Sequence, residues 1–144
     1  MNGNTAEYLL ELRVPARADR MVVVRDTVRS AARFCGFDEP TAQDIVLAVG
    51  EACQNVILHA YDGRGDGPIL LDILDDVDRM ILRVTDFGPA VAPAAVRPRP
   101  LQELRPGGLG THFIHALMDS ADFGRSPNGV GNVLQMTKKK DPAK

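Results

Sequence analysis

Glu51 and Asn55 stand four residues apart in the string Glu51-Ala52-Cys53-Gln54-Asn55. On a helix, that spacing stacks two side chains one turn apart on the same face. A carboxylate there can act as a general base or orient a water. The carboxamide oxygen one turn on is a hard ligand of the kind Mg²⁺ takes. A solvated polar face on an amphipathic helix carries the same pattern, and His59 further along it also fits an imidazole meeting a helix dipole. A second group is Asp86-Phe87-Gly88, directly after an apolar run. A carboxylate at a strand end can accept a hydrogen bond from an exocyclic amine such as that of adenine, and the glycine lets a flat ring approach the backbone. A plain turn has the same composition. Phe87 invites comparison with the protein-kinase magnesium motif, but no Gly-rich loop lies near the N-terminus and no His-Arg-Asp loop is present. The third group, Gly107-Gly108-Leu109-Gly110, leads into a helical pattern. Its N–H groups could wrap a phosphate at a helix N-terminus, or it could simply be a hinge. No Lys-Ser/Thr follows, so it is not a P-loop, and no strand immediately precedes it, as a dinucleotide fold would require.

The elements that must hold these groups can be read from periodicity. Leu10, Leu12 and Val14 alternate with Glu11 and Arg13, predicting a half-buried strand closed by Pro15. From about Asp19 the period becomes helical through Val24, Val28, Ala31, Ala32 and Cys35, with Gly36 at the helix-ending position. The start of this helix is open, because Met21 to Val24 is locally β-like. Asp38-Glu39-Pro40 signals a new helix, predicted to run to about Ala60. Ile45, Ala48, Val49, Ala52, Cys53, Val56 and Ala60 form its apolar stripe, and Asp44, Glu51, Asn55 and His59 its other face. The turn residues from 62 to 68 stop it. Two strands, about 69–74 and 80–85, make a hairpin. Residues 89–106 hold five prolines and little periodicity, which fits a lid, a binding loop or a disordered stretch. A helix at about 109–119 and a hairpin of 121–125 with 132–138, turning at 126–129, complete the chain before a polar tail. The order β-α-α-β-β-lid-α-β-β predicts one domain over residues 1–144, an α/β two-layer sandwich on a mixed, mostly antiparallel sheet, with its core at about 8–138.

With 144 residues and 44% apolar content the chain can bury such a core. A net charge of −2 supplies no field for gripping nucleic acid or an anionic membrane. No apolar run approaches the roughly 18 residues of a membrane span, and the first residues show no secretory signal. Cys35 and Cys53 are too few for a disulfide framework or a four-ligand metal site. They read as buried apolar residues, and a reducing cytosol is the expected compartment.

In order and spacing the three groups resemble the ATP-binding domain of the GHKL superfamily, the Bergerat fold. The nearest resemblance is to the small bacterial anti-sigma-factor serine kinases of the RsbW/SpoIIAB type. It is carried by Glu51-Ala52-Cys53-Gln54-Asn55-Val56-Ile57-Leu58-His59-Ala60-Tyr61 and by Gly107-Gly108-Leu109-Gly110 through Leu117-Met118-Asp119, and it covers about Leu10 to Thr137. The resemblance implies that Asn55 ligates Mg²⁺ on the ATP phosphates and that Glu51 activates the attacking serine hydroxyl. It implies that Asp86 recognises the adenine amine with Gly88 beneath the ring, and that Gly108, Leu109 and Gly110 cradle phosphates. Residues 89–106 become the ATP lid. The resemblance puts Asn132 near the adenine pocket, where the family usually has the threonine of a Gly-Thr pair. Arg105 is the nearest counterpart of a lid arginine, with Pro106 between it and Gly107. The implied function is a cytoplasmic, homodimeric anti-sigma factor that phosphorylates a serine on a STAS-type anti-anti-sigma factor and also holds a sigma factor. The alternative is a nucleotide-gated binding module without kinase activity, or one with a non-sigma output.

Overall fold

The computed structural model describes residues 6–61, 63–89, 113–126 and 129–141. Strand β1 is Glu7–Pro15, helix α1 is Met21–Phe34 and helix α2 is Glu39–Asn55. Strands β2 (Pro68–Asp75), β3 (Arg79–Asp86), β4 (Ser120–Arg125) and β5 (Asn132–Lys139) follow. They form one five-stranded sheet in the order β1-β2-β3-β5-β4. Every pairing among the described strands is antiparallel, so the parallel component expected of a mixed sheet is missing from them.

Local chemistry accounts for the helices. Residues 21–24 are helical despite the β-branched Val22, Val23 and Val24, because Met21 and Val24 face inward and are buried. Tertiary burial outweighs the few tenths of a kcal/mol of propensity they lose. At the other end Gly36 takes φ +100°. Its N–H reaches the Arg33 carbonyl at 3.0 Å, and the Phe37 N–H reaches Ala32 at 3.1 Å. This paired closure needs a left-handed residue, which glycine supplies without a Cβ penalty. The Asp38 carboxylate then caps α2 by accepting from the Thr41 N–H at 3.0 Å.

Helices and sheet share one buried cluster. Ile45, Val49, Ala52 and Cys53 of α2 meet Ile69, Leu71 and Ile73 of β2, Met80, Leu82 and Val84 of β3, and Met136 of β5. Alternate residues in β2 and β3 point into this cluster, the period-2 signature of a sheet covered on one face. The open face carries the row Asp72, Arg83 and Gln135, where Arg83 Nε donates to Gln135 Oε1 at 2.7 Å. Both cysteines are buried. Burial pushes each thiol up to about 12, for Cys35 with the neighbouring Asp75 carboxylate acting the same way. Residues 113–117 are helical, and Met118 and Asp119 have left the helix two residues before its expected end. Among the described residues no helix is long and apolar enough to cross a membrane.

Candidate functional site

Helix α2 ends at Asn55, and the expected continuation to Ala60 is a π-helical turn, Val56–Ala60. The Tyr61 N–H closes it on the Val56 carbonyl at 3.3 Å, a five-residue step. Such wide turns occur mostly as single-turn bulges in α-helices, frequently at functional sites. This one directs the buried Tyr61 to the end of β3. The Tyr61 hydroxyl accepts from the Phe87 N–H at 2.7 Å and donates to the Pro68 carbonyl at 2.8 Å. Burial pushes the Tyr61 phenol up, and the Asp86 and Asp66 carboxylates add to this against the opposing Phe87 N–H bond. It therefore stays protonated and able to donate at neutral pH.

Asp86 closes β3 and is buried. Its Oδ1 accepts from the Gly88 N–H and from Asn132 Nδ2, each at 2.9 Å. Two donors on one oxygen orient the carboxylate and leave Oδ2 as the side that can receive an amine. Gly88 lies against the end of the π turn. A Cβ there would come within 2.6 Å of the Ala60 carbonyl oxygen and 2.8 Å of the Ala60 Cβ. Glycine is thus required by packing between β3 and the α2 extension, whatever ring it faces.

Asn132 is 1% exposed and pairs with Asp86 across β3 and β5. Besides Asp86, its Nδ2 donates to the Pro89 carbonyl at 3.0 Å and points at the Gly88 carbonyl at 3.4 Å. Its Oδ1 accepts from Arg125 Nη1 at 3.0 Å. The amide that the resemblance turns toward adenine is occupied by the protein itself.

Asp86, Gly88 and Asn132 are therefore brought into one cluster. Glu51 and Asn55 are both half-buried on α2, and the π turn that follows them carries Ala60 against Gly88 and Tyr61 to the Phe87 N–H. His59 is exposed in the last turn. Gly108, Leu109, Gly110, Arg105 and nearly all of the expected lid lie outside the described residues. Tyr61 and Arg125 were not singled out from sequence. Tyr61 stood inside the quoted string, but its two bonds reach residues that only folding brings near. Among the described residues no group of three or more His, Cys, Asp and Glu could hold a metal.

The comparisons with known proteins fit this geometry. Residues 14–138 match the histidine kinase-like ATPase domain family. The serine-protein kinase RsbW of Halalkalibacterium halodurans is 38% identical over 137 residues, covering 90% of this chain and 82% of that one. The chain belongs to the RsbW family of serine-protein kinases. RsbW of Bacillus subtilis strain 168 is 30% identical over 148 residues, covering 94% and 87% of the two chains. Two solved structures share the fold. The RsbU and RsbW domains of Rv1364c from Mycobacterium tuberculosis superpose with a TM-score of 0.57 at 19% identity, over 90% of this chain and 32% of that one. The SiaB–SiaC complex from Pseudomonas aeruginosa gives 0.57 at 16% identity, over 92% and 91%. The chain thus has the GHKL ATPase fold and belongs among the serine-protein kinases, as its motifs implied.

Proposed function

We propose that this kinase is an anti-sigma factor in a partner-switching module. In this reading it binds ATP with Mg²⁺ and phosphorylates a serine on a STAS-type anti-anti-sigma factor. It holds a sigma factor when that antagonist is phosphorylated. The observation that carries the reading is the buried Asp86 at a strand end, one oxygen held by two donors and the other left to accept. Kinship with RsbW kinases supports the direction of the chemistry. Cytoplasmic location and a homodimer are part of the same proposal and rest on the family resemblance.

The residues suit the cofactor. Asp86 accepts an exocyclic amine, which adenine presents and guanine places on a different edge. Asn55 offers one hard oxygen, and Mg²⁺ commonly takes its remaining ligands from phosphate and water rather than from an all-protein cage. The lack of a multi-carboxylate cluster among the described residues is compatible with that mode. Bound there, ATP would supply the γ-phosphoryl group and Mg²⁺ would offset its charge. Glu51 takes the proton of the seryl hydroxyl, while Asn55 on the next turn serves the metal. Gly108, Leu109 and Gly110 donate backbone N–H groups to phosphate, a role based on their spacing.

The test is incubation with γ-labelled ATP, Mg²⁺ and the STAS protein encoded nearest in the genome. Label on a serine of that protein is the expected result. ATP binding without transfer to any of several such partners would replace the kinase with the nucleotide-gated binding module.

A further inference from the structure

Asp86, Asn132 and Arg125 occupy one row across three strands. Asn132 of β5 is the register partner of Asp86 on β3 and of Arg125 on β4. Residues so paired project from the same face of the sheet. The row is continuously hydrogen-bonded, from Arg125 Nη1 to Asn132 Oδ1 at 3.0 Å and from Asn132 Nδ2 to Asp86 Oδ1 at 2.9 Å. Arg125 is anchored by its other nitrogen, since Nη2 donates to the Gly129 carbonyl at 2.7 Å in the β4–β5 turn.

We propose that Arg125 is a positioning residue of the nucleotide site, acting through Asn132 to hold Asp86 ready for the exocyclic amine of the base. The proposal rests on the reading of Asp86 as the amine acceptor and adds a residue and a direction of control to it. The physical basis is the two-ended character of a carboxamide. Its nitrogen only donates and its oxygen only accepts. A guanidinium can only donate, so Arg125 fixes the oxygen end outward and thereby the nitrogen end toward Asp86. Turning the amide over would set its oxygen against a carboxylate oxygen and its N–H groups against a cation. The two N–H groups are then committed to Asp86 and to the Pro89 carbonyl. One side chain thus sets the carboxylate and anchors the backbone where the segment 89–106 departs. Asn132 itself has its donors and its carbonyl engaged within the protein, so its part is also to position rather than to touch the base.

The test compares ADP with the diphosphate of unsubstituted purine riboside, which lacks the exocyclic amine. Calorimetry in Mg²⁺ on wild type, Arg125→Met and Arg125→Lys gives the affinity ratio of the two ligands, a measure of the amine contact alone. Wild type is expected to prefer ADP. Arg125→Met should lower that preference about fivefold, the scale of one net hydrogen bond, and leave the analogue's own affinity unchanged. Arg125→Lys, which restores the charge without the fork, should recover part of it. Equal weakening of both ligands would make Arg125 a structural residue and overturn the proposal, as would an unaltered preference. A wild-type ratio near one would instead fail the Asp86 reading itself, and the proposal with it. Should Arg125→Met not fold, Arg125→Gln keeps a neutral donor and carries the same comparison with a smaller expected fall.

Discussion

Replacing Tyr61 with Phe deletes one oxygen and leaves the ring that fills the space beside Gly67. That oxygen serves two backbone groups at once, the Phe87 N–H and the Pro68 carbonyl. Tyr61 is 7% exposed, so water replaces it poorly. Leaving buried groups unsatisfied costs about 1–3 kcal/mol. For a chain of this size each kcal/mol moves the melting temperature by roughly 2–4 °C, so Tyr61→Phe should melt roughly 2–12 °C below wild type. Its pH dependence supplies a second signature. The folded phenol is raised above its ordinary value, chiefly by burial. The unfolded phenol therefore ionises first, at about pH 10. The stability from the neutral hydroxyl is complete below that pH and is lost as pH rises through the folded value. Wild type should weaken steeply there, and the gap to Tyr61→Phe should close. Urea unfolding near neutrality and at a series of pH values rising from about 10 measures both effects. Equal midpoints at neutral pH, or a gap that stays constant into alkali, would refute the role assigned to this hydroxyl.

Three further outcomes follow from the geometry and from the proposed function. Gly88→Ala forces a Cβ to within 2.6 Å of the Ala60 carbonyl oxygen, so it should cost about 1–3 kcal/mol in urea unfolding and weaken ADP binding. Gly124→Ala, whose Cβ would meet nothing within 4 Å, is the near-neutral control. Asn55→Ala should lose ATP·Mg²⁺ affinity and phosphorylation together, whereas Glu51→Ala should keep ATP binding and lose about 10²–10⁴-fold in transfer rate. Single-turnover assays showing Glu51→Ala at the wild-type rate would remove it as the base. Cys53 is fully buried with its thiol pushed up to about 12, so its alkylation should track global unfolding. Rapid native-state labelling would contradict that burial.

Much of this arrangement was legible from periodicity and turn chemistry, because those signals are local. Gly36 and Asp38 announce the end of α1 and the start of α2, and both ends close with the bonds their residue types favour. The apolar stripe of α2 identified its buried face before any partner was known. The departures come where non-local contacts override local preference. The helix signal through Ala60 was correct in extent, yet it did not contain the π step. That step accompanies the bonds of Tyr61 to Phe87, just past the end of β3, and to Pro68 at the start of β2. Gly88 was legible as a close-approach glycine, but the surface it approaches within the described protein is Ala60.

The row from Arg125 to Asp86 shows why part of the site lies beyond sequence reasoning. A hairpin places β4 beside β5, and this much the turn residues suggested. Nothing local places β5 beside β3, since β4 and the long segment after Asp86 lie between them in sequence. Only that insertion brings Asn132 opposite Asp86. Once the register is set, an amide is well suited to the position: it must donate toward a carboxylate and accept from a guanidinium. A threonine there has one hydroxyl proton and could not donate to Asp86 and Pro89 together. The amide's oxygen meanwhile accepts from a second residue, Arg125. Considered alone, Asn132 looks like a weakened nucleotide contact. In the sheet it is the middle of a three-residue support whose outer end is a charge on β4.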